Sequence, residues 1–294
     1  MTTQAIKTGT SARLAARSNT LPPIINLSQI APGHIHAHIL ILPSPYTADF
    51  RLLCARNPVA LPLLAESTKP GIFDAVKSRV AWLEDDEVLL RQHVDLRRDV
   101  GGFTVWRDGE VFTDGQGMED VVSEWKDDHV AFVIASEGSI EAALRQAGLL
   151  EGRIPHPPMY RTRKPLFPSG TFYDCEMVVS MRSFSAAETG QVRQVTAPFA
   201  LAHGEPIDWG WGAVGRLGIR DIDMPEWGER PVTRNGRALG EVAWKDDEVP
   251  VFWGSGVTAQ EAVAKMELPG TVMANAVGEY LVLDCKDEDV ARVS

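Results

Sequence analysis

The chain has 294 residues, of which 44% are apolar and 23% charged, and its formal net charge is −11. This length and composition are typical of a globular protein with one large or two moderate domains. The acidic balance argues against a nucleic-acid partner, because binding of phosphate backbones needs a basic face. Three cysteines, Cys54, Cys175 and Cys285, are odd in number and lack metal-ligand spacing, which favours a reduced compartment without a disulfide framework.

The location of the protein is predicted from its apolar runs and its first residues. No run approaches the roughly 18 apolar residues of a membrane-spanning helix, so we expect a soluble, cytoplasmic protein with no membrane partner. The first acidic residue is Asp49, and Lys7, Arg13 and Arg17 lie among Ser, Thr and Ala. That composition is also typical of an organelle transit peptide, which leaves a mitochondrial location open. The stretch SARLAAR equally predicts a short first helix.

The first elements in chain order are a strand, a helix and a hairpin. The stretch HIHAHILILP (34–43) alternates and then becomes apolar up to a proline, which predicts a strand. The stretch ADFRLLCARNP predicts a helix that ends before Pro58. An acidic, arginine-rich stretch (84–99) follows. In FTVWRDGEVF the pair Asp108-Gly109 is typical of a hairpin turn.

The amino-acid composition of the sequence changes in the middle of the chain. Prolines and glycines cluster from Pro155 to about Arg230, around a predicted strand FYDCEMVVSMRSF and a predicted helix AAETGQVRQVTAPF. This pattern favours a small α+β unit. Two short strands are predicted in TVMANAVGEYLVLD at the end. We therefore predict an α/β main domain at 1–153 and 241–294, with an α+β domain inserted at 154–240.

Two segments of the chain share one pattern. The stretch EWKDDHVAFVIASEGSIEAAL starts at residue 124 and AWKDDEVPVFWGSGVTAQEAV at residue 243, with a constant offset of 244 − 125 = 119. Each predicts a buried strand (130–134 and 249–253), a tight turn and a helix. Ser139 is the predicted cap of the first helix, and Thr258 with Glu261 forms a predicted capping box in the second.

A strand-turn-helix unit directs amide groups and the positive end of the helix dipole to the space beyond the strand. Two such turns, at Ser136 and at Ser255-Gly256, predict paired anion sites for a small molecule that carries carboxylates. The alternative is that an old duplication left a parallel-sheet core with one functional turn or none.

Five short motifs occur in order along the chain. They are CARNPVALPLL (54–64), PMYRT (158–162), VVSMR (178–182), Ala-His-Gly (202–204) and PVFWGSGVTAQ (250–260). Together, over residues 31–284, they resemble the landmarks of the D-glutamate cyclase-like family, whose bacterial members carry hydro-lyase names. The resemblance implies an α/β main domain with a smaller α+β insertion. It also implies a lyase that eliminates water, as in the closure of D-glutamate to 5-oxo-D-proline.

Such a reaction needs groups that neutralise a carboxylate and transfer protons. Arginine forks bind carboxylates through two parallel hydrogen bonds, so we predict that Arg56, Arg161 and Arg182 bind substrate. For catalysis we predict Glu141, His203 and Tyr160. The other predicted substrate-binding residues are His36, His38, Asn57, Ser136, Ser139, Ser180, Ser255, Gly256 and Thr258. Each also has a structural interpretation: ion pairing for the arginines, a dipole contact for Glu141 and a loop contact for His203.

The sequence departs from the family pattern at several of these places. Ser136 and Ser255 replace a cysteine in each turn, Glu137 and Gly138 replace Ser-Phe, and Asn275 and Glu279 replace two histidines. The carboxylate of Glu137 could repel an anionic substrate. Two further functions therefore stay open: a divergent enzyme of specialised metabolism with a larger, less charged substrate, and a non-catalytic carboxylate-binding protein.

His34, His36 and His38 alternate, so they share one face of the predicted strand. Imidazoles on one face can bind zinc or manganese, and a metal at His36 and His38 could polarise a carbonyl. The alternative, which we favour, is a polar strand face without a metal, and no cofactor is expected. The expected partner is a small carboxylate, and a homodimer stays open.

Overall fold

A computed structural model describes residues 6–22, 30–83, 89–113, 117–150, 156–245 and 247–291. Its strands are β1 His34–Pro43, β2 Leu63–Ser67, β3 Val76–Ser78, β4 Phe103–Arg107, β5 Glu110–Val111, β6 His129–Ala135, β7 Met159–Pro165, β8 Glu176–Ser185, β9 Asp208–Trp209, β10 Glu248–Gly254, β11 Thr271–Asn275 and β12 Leu281–Lys286. Its α-helices are α1 Gly9–Arg17, α2 Thr47–Arg56, α3 Gly138–Gln146, α4 Thr189–Thr196, α5 Trp211–Leu217, α6 Val257–Met266 and α7 Asp287–Val290. The fold class is α/β, as predicted.

The larger sheet has the strand order β3-β2-β6-β1-β11-β4-β5, and β12 also pairs with β1. β1 is therefore central, with β6 on one side and β11 and β12 on the other. Each strand pair in the described residues is antiparallel, so the expectation of a parallel-sheet core is wrong. After α3 the chain does not return to the larger sheet as a parallel neighbour of β6. The next strand, β7, joins a second sheet instead.

The second sheet has the order β7-β8-β10-β9. Both copies of the repeat fold as strand, turn and helix, but β6 lies in the larger sheet and β10 in the smaller one. β10 follows residue 241 and yet pairs with β8 and β9. The domain division at 154 and 240, and the common origin of the two copies, stay predictions.

Several local predictions are confirmed. β1 spans the predicted residues 34–43, and α2 ends at Arg56, two residues before Pro58. Asp108 and Gly109 have φ values of 50° and 86°, as the turn of a two-residue hairpin requires. The two predicted strands near the end are β11 and β12. Part of the acidic stretch, residues 84–88, lies outside the described residues.

The predicted hydroxyl caps are wrong. α3 begins one residue after Glu137 and α6 one residue after Gly256, and neither N-terminus has a side-chain cap. Ser139 instead donates to Asp287 Oδ1 at 2.6 Å, and Thr258 bonds to the backbone of Val178 in β8. Both hydroxyls therefore fix the helices to neighbouring elements.

The first helix and the cysteines agree with the sequence expectations. α1 contains the stretch SARLAAR, and its fully buried Arg13 forms an ion pair with Asp284 at 2.8 Å. Cys54, Cys175 and Cys285 are buried free thiols. Within the described ranges, no helix is both long and apolar enough to span a membrane.

The two faces of β1 differ in a way that positions the site. Ile35, Ala37, Ile39 and Ile41 belong to a core cluster on one face of the larger sheet. The other face carries His34, His36 and His38, followed by Leu40 and Leu42, which belong to a core shared with the smaller sheet. The histidines therefore lie where this shared apolar core ends.

Candidate functional site

The two repeated turns meet at the histidines of β1. The amide and the hydroxyl of Ser136 both donate to the His36 carbonyl, at 3.0 and 2.8 Å. The second turn lies against His38: a Cβ built on Gly256 would be 2.1 Å from Cδ2 of that ring. The two turns therefore lie close together, next to His36 and His38 on one face of β1, and the paired anion sites stay a prediction.

Four polar atoms of the cluster are buried and have no hydrogen-bonding partner in the part of the chain that the structure describes. They are His36 Nε2, His38 Nε2, Glu137 Oε1 and Arg182 Nε. The four residues are 2–5% exposed. An unsatisfied buried polar group costs about 1–3 kcal/mol, so several in one place mark a position where a ligand supplies the missing partners.

Arg182 is held rigidly by two neighbours. Its Nη2 donates to Glu141 Oε1, and its Nη1 donates to Ser180 Oγ at 2.9 Å. Glu141 comes from α3 and Ser180 from β8, so the guanidinium links the first repeat to the smaller sheet. The structure thus brings together three of the predicted site residues and leaves the Nε–H of Arg182 for another acceptor.

The two histidines are neutral at physiological pH. Burial lowers the pKa of both His36 and His38 to about 4. For His36, backbone hydrogen bonds to His34 and Ile30 oppose this shift. Nε2 of His36 has no partner among the described residues, and a neutral imidazole carries one N–H donor and one lone-pair acceptor.

The ring of His38 lies beside the side chain of Asn275. The side-chain amide of Asn275 donates to Nδ1 of His38 at 3.2 Å. Since Nδ1 accepts, the proton of neutral His38 lies on Nε2. Asn275 is itself fixed, because its Oδ1 accepts from the Ile39 amide at 2.8 Å and its Nδ2 also donates to the Glu279 carbonyl at 2.6 Å. The site therefore offers two neutral imidazoles whose Nε2 atoms have no partner among the described residues.

Glu137, from the first turn, lies among these groups as an anion. Burial alone would raise the pKa of its carboxyl, but His203, Arg182, His38 and the Ser255 hydroxyl together lower it. The contact with Ser255 joins the first turn to the second. A carboxylate that stays ionised in this interior is an acceptor only.

Tyr280 covers the histidine pair from the turn between β11 and β12. Its ring meets His36 and His38 edge-on, with centroids 6.3 and 5.2 Å apart. Burial, followed by the charges of Glu137 and Glu141, raises the pKa of its phenol, so the hydroxyl keeps its proton. The side chain is only half-buried, which makes it the part of the cluster nearest to solvent.

Both ring nitrogens of His203 contact backbone carbonyls. Nδ1 lies 2.8 Å from the Val59 carbonyl and Nε2 lies 3.1 Å from the Ala135 carbonyl. Neither nitrogen faces the cluster, and this geometry argues against the predicted direct role of His203 in catalysis.

Four other predicted site residues lie outside the cluster. Arg56 is exposed and donates to the Pro168 carbonyl at 2.5 Å, and Arg161 is exposed and pairs with Glu261. The Asn57 amide bonds to the backbone of Leu53 and Phe167 at 2.8–2.9 Å. Tyr160 is buried in the apolar core, and its hydroxyl donates to the Ile222 carbonyl at 2.6 Å. These geometries correct the sequence prediction, because each polar group is engaged in holding the fold or lies at the surface.

The alternation of the histidines is confirmed, since His36 and His38 both contact Tyr280. Among the described residues, no group of three or more His, Cys, Asp or Glu side chains is arranged to hold a metal ion. A metal at His36 and His38 stays a hypothesis without a third ligand.

Three members of the cluster, Glu137, Asn275 and Tyr280, were not among the predicted site residues. Glu137 and Asn275 are recognisable in the sequence only as departures from the family pattern, and Tyr280 stands beside a third departure, Glu279. These departures fall in the repeated turn and in the final hairpin, so the sequence already distinguishes both places from the family pattern. The proximity of these residues to His38 depends on the antiparallel pairing of β1 with β11, which no local sequence pattern reveals.

Comparison with known proteins finds relatives of similar sequence. The sequence profile described as D-glutamate cyclase matches residues 130–284. A Bordetella petrii protein named "Putative hydro-lyase" is 37% identical over 284 residues, covering 95% of both chains. A Schizosaccharomyces pombe protein with the same name is 33% identical over 257 residues, covering 86% of this chain and 76% of its own. A solved nitrogen repressor-like protein from Methanococcus jannaschii aligns over 95% of this chain and 99% of its own, at 9% identity and a TM-score of 0.36.

The sequence relatives define the class of protein as an enzyme of the hydro-lyase type. The chain belongs to the D-glutamate cyclase family. The matched profile includes both repeated turns, Arg182 and Tyr280, whereas His36 and His38 lie before it.

Proposed function

We propose that this chain is a lyase that removes water from a small carboxylic or amino acid, by dehydration or by dehydrative ring closure. The observation that carries the proposal is the convergence of four buried, unpartnered polar atoms where the two repeated turns meet β1. A folded protein keeps such atoms unsatisfied at a cost, and a bound polar molecule removes that cost.

Substrate binding falls to the two free donors of the cluster. The Nε–H of Arg182 is a charged donor and the Nε2–H of His38 a neutral one, and both are without a partner among the described residues, which suits a ligand carboxylate. Glu141 is a positioning residue in this scheme, because its ion pair and the Ser180 contact fix the plane of the guanidinium.

Proton transfer falls to His36 and Tyr280. The Nε2 lone pair of His36 is available at neutral pH, so this ring accepts the proton that the substrate loses. Tyr280 keeps its phenol proton and lies on the solvent side of the same ring, so it donates to the departing oxygen. The departing hydroxide leaves as water with the phenol proton, and the proton held by His36 then returns to the tyrosinate. The substrate has thus lost one proton and one hydroxide, which is one water, and both residues are restored.

The test is incubation of the purified protein with D-glutamate, L-glutamate and a panel of hydroxy acids and hydroxy amino acids, followed by mass spectrometry. Loss of one water from one of them is the expected result. His36→Gln should abolish the loss, and His156→Gln, at an exposed histidine, should not. Absence of water loss across the panel, or full turnover by His36→Gln, would contradict the proposal.

A second candidate, a divergent enzyme with a less charged substrate, is favoured by one observation. Glu137 puts a second carboxylate, besides Glu141, beside Arg182. A substrate with two carboxylates would meet both of these anions, whereas a substrate of lower charge would not.

A further inference from the structure

Glu137 is the cluster member whose chemistry is least expected in a site for an acid. Its side chain is 5% exposed, and its Oε1 has no partner among the described residues. It also lies at the contact between the two repeated turns, next to Ser255. A ligand bound beside Glu137 must therefore supply a hydrogen-bond donor, because this anionic oxygen can only accept.

The free atoms of the cluster divide into donors and acceptors. Arg182 Nε–H and His38 Nε2–H are donors and require a ligand acceptor. Glu137 Oε1 requires a ligand donor. A ligand that satisfies both sides carries an acceptor such as a carboxylate at one position and a hydrogen-bond donor at another. For a buried, ionised carboxylate the strongest donor is a positively charged nitrogen.

Charge counting restricts the ligand further. The anions of the cluster are Glu137 and Glu141, and Arg182 is the cation that is ion-paired with Glu141. His36 and His38 add no charge at neutral pH, because burial lowers their pKa. One guanidinium cation thus faces two carboxylate anions. A ligand with no net charge leaves the net charge of the cluster unchanged, and a dianion adds two further negative charges to the interior.

We propose that Glu137 is a specificity-determining residue that binds a positively charged nitrogen of the substrate, so that the site selects a zwitterionic amino acid with an uncharged side chain over a dicarboxylate. The inference rests on the site described under the proposed function and names its substrate class. The ammonium group donates to Glu137 Oε1, while the carboxylate accepts from Arg182 and His38. The side chain then extends towards His36 and Tyr280.

The experiment is isothermal titration calorimetry of the full chain at pH 7.5 with defined probes. The zwitterions are the D and L forms of homoserine and glutamine, and the dicarboxylate is glutarate, which has a similar carbon skeleton but no nitrogen. At least one zwitterion should bind about tenfold more tightly than glutarate, which corresponds to about 1.4 kcal/mol. Glu137→Gln and Glu137→Ser should each remove most of that preference, and Glu110→Gln, at an exposed strand residue, should leave it unchanged.

Three outcomes would overturn the inference: glutarate binding as tightly as the zwitterions, a preference that survives in both Glu137 variants, or failure of every zwitterion to bind. Circular dichroism of the variants ensures that a lost preference is not lost folding. If the preference is found but no acid loses water, the proposed function fails and the role of Glu137 stands. If a nitrogen-free dicarboxylic acid is the substrate that loses water fastest, the role of Glu137 fails and the proposed function stands.

Discussion

The imidazole of His38 lies directly against the backbone of Gly256. A Cβ at this glycine would be 2.1 Å from Cδ2 and 2.7 Å from Nε2 of the ring. Gly256 has φ −62° and ψ −18°, which any residue adopts, so the glycine is required for space and not for its conformation. The second repeated turn therefore reaches the histidine strand only because residue 256 has no side chain.

Gly256→Ala is expected to displace His38 and to weaken ligand binding about tenfold or more, with a loss of about 1–3 kcal/mol of folding free energy from overpacking. Titration calorimetry and urea unfolding measure the two effects. The matched control is Gly190→Ala in α4, where a Cβ would meet no described atom within 4 Å. There the helix should gain about 0.5–1 kcal/mol. Unchanged ligand affinity in Gly256→Ala would contradict the packing argument.

The buried pair Arg182–Glu141 should behave as one unit in unfolding experiments. Removing either partner leaves an uncompensated charge inside the protein, so Arg182→Met and Glu141→Gln should each cost about 3–5 kcal/mol. The double variant should cost less than the sum of the two. Arg161→Met, which breaks an ion pair of an exposed arginine, should cost about 1 kcal/mol or less. Additive effects in the double-mutant cycle would show that the pair is not coupled.

Acid should destabilise the protein through His36 and His38. The unfolded chain takes up a proton on each histidine near pH 6.5, but the folded protein does so only near pH 4. Their contribution to stability is therefore complete above pH 6.5 and is lost as the pH falls towards 4, by about 2 kcal/mol for each histidine between pH 7 and pH 5. Urea unfolding at both pH values tests this. The double variant His36→Gln/His38→Gln should lose less stability on acidification than the natural chain. His156→Gln, at an exposed site, should follow the natural chain.

Substitution of Tyr280 and of Tyr160 by Phe distinguishes a catalytic hydroxyl group from a structural one. Tyr280→Phe removes the proton donor near the histidines and should lower kcat about 10²-fold with little change in KM. Tyr160→Phe leaves the Ile222 carbonyl without its donor, so it should cost about 1–3 kcal/mol of stability with kcat unchanged. Equal kcat values for Tyr280→Phe and the natural chain would remove Tyr280 from the mechanism.

The sequence by itself determined the local elements and the family. Alternation set β1 at 34–43, Pro58 set the end of α2, and the pair Asp108-Gly109 set the hairpin turn. These features depend on periodicity and on backbone preferences of neighbouring residues, which a sequence displays directly. The constant offset of 119 likewise revealed two turns of the same kind before either could be placed in space.

Only the tertiary structure decided which polar residues share a site. Arg56, Asn57, Arg161 and Tyr160 stand in family motifs as Arg182 does, yet their partners are Pro168, Phe167, Glu261 and Ile222. A motif identifies the functional group of a residue, but the long-range pairing of strands decides which residues surround that group. Glu137 and Asn275 come close to His38 because β1 pairs with β6 on one side and with β11 on the other. Gly256, which follows β10 of the smaller sheet, packs against the same histidine.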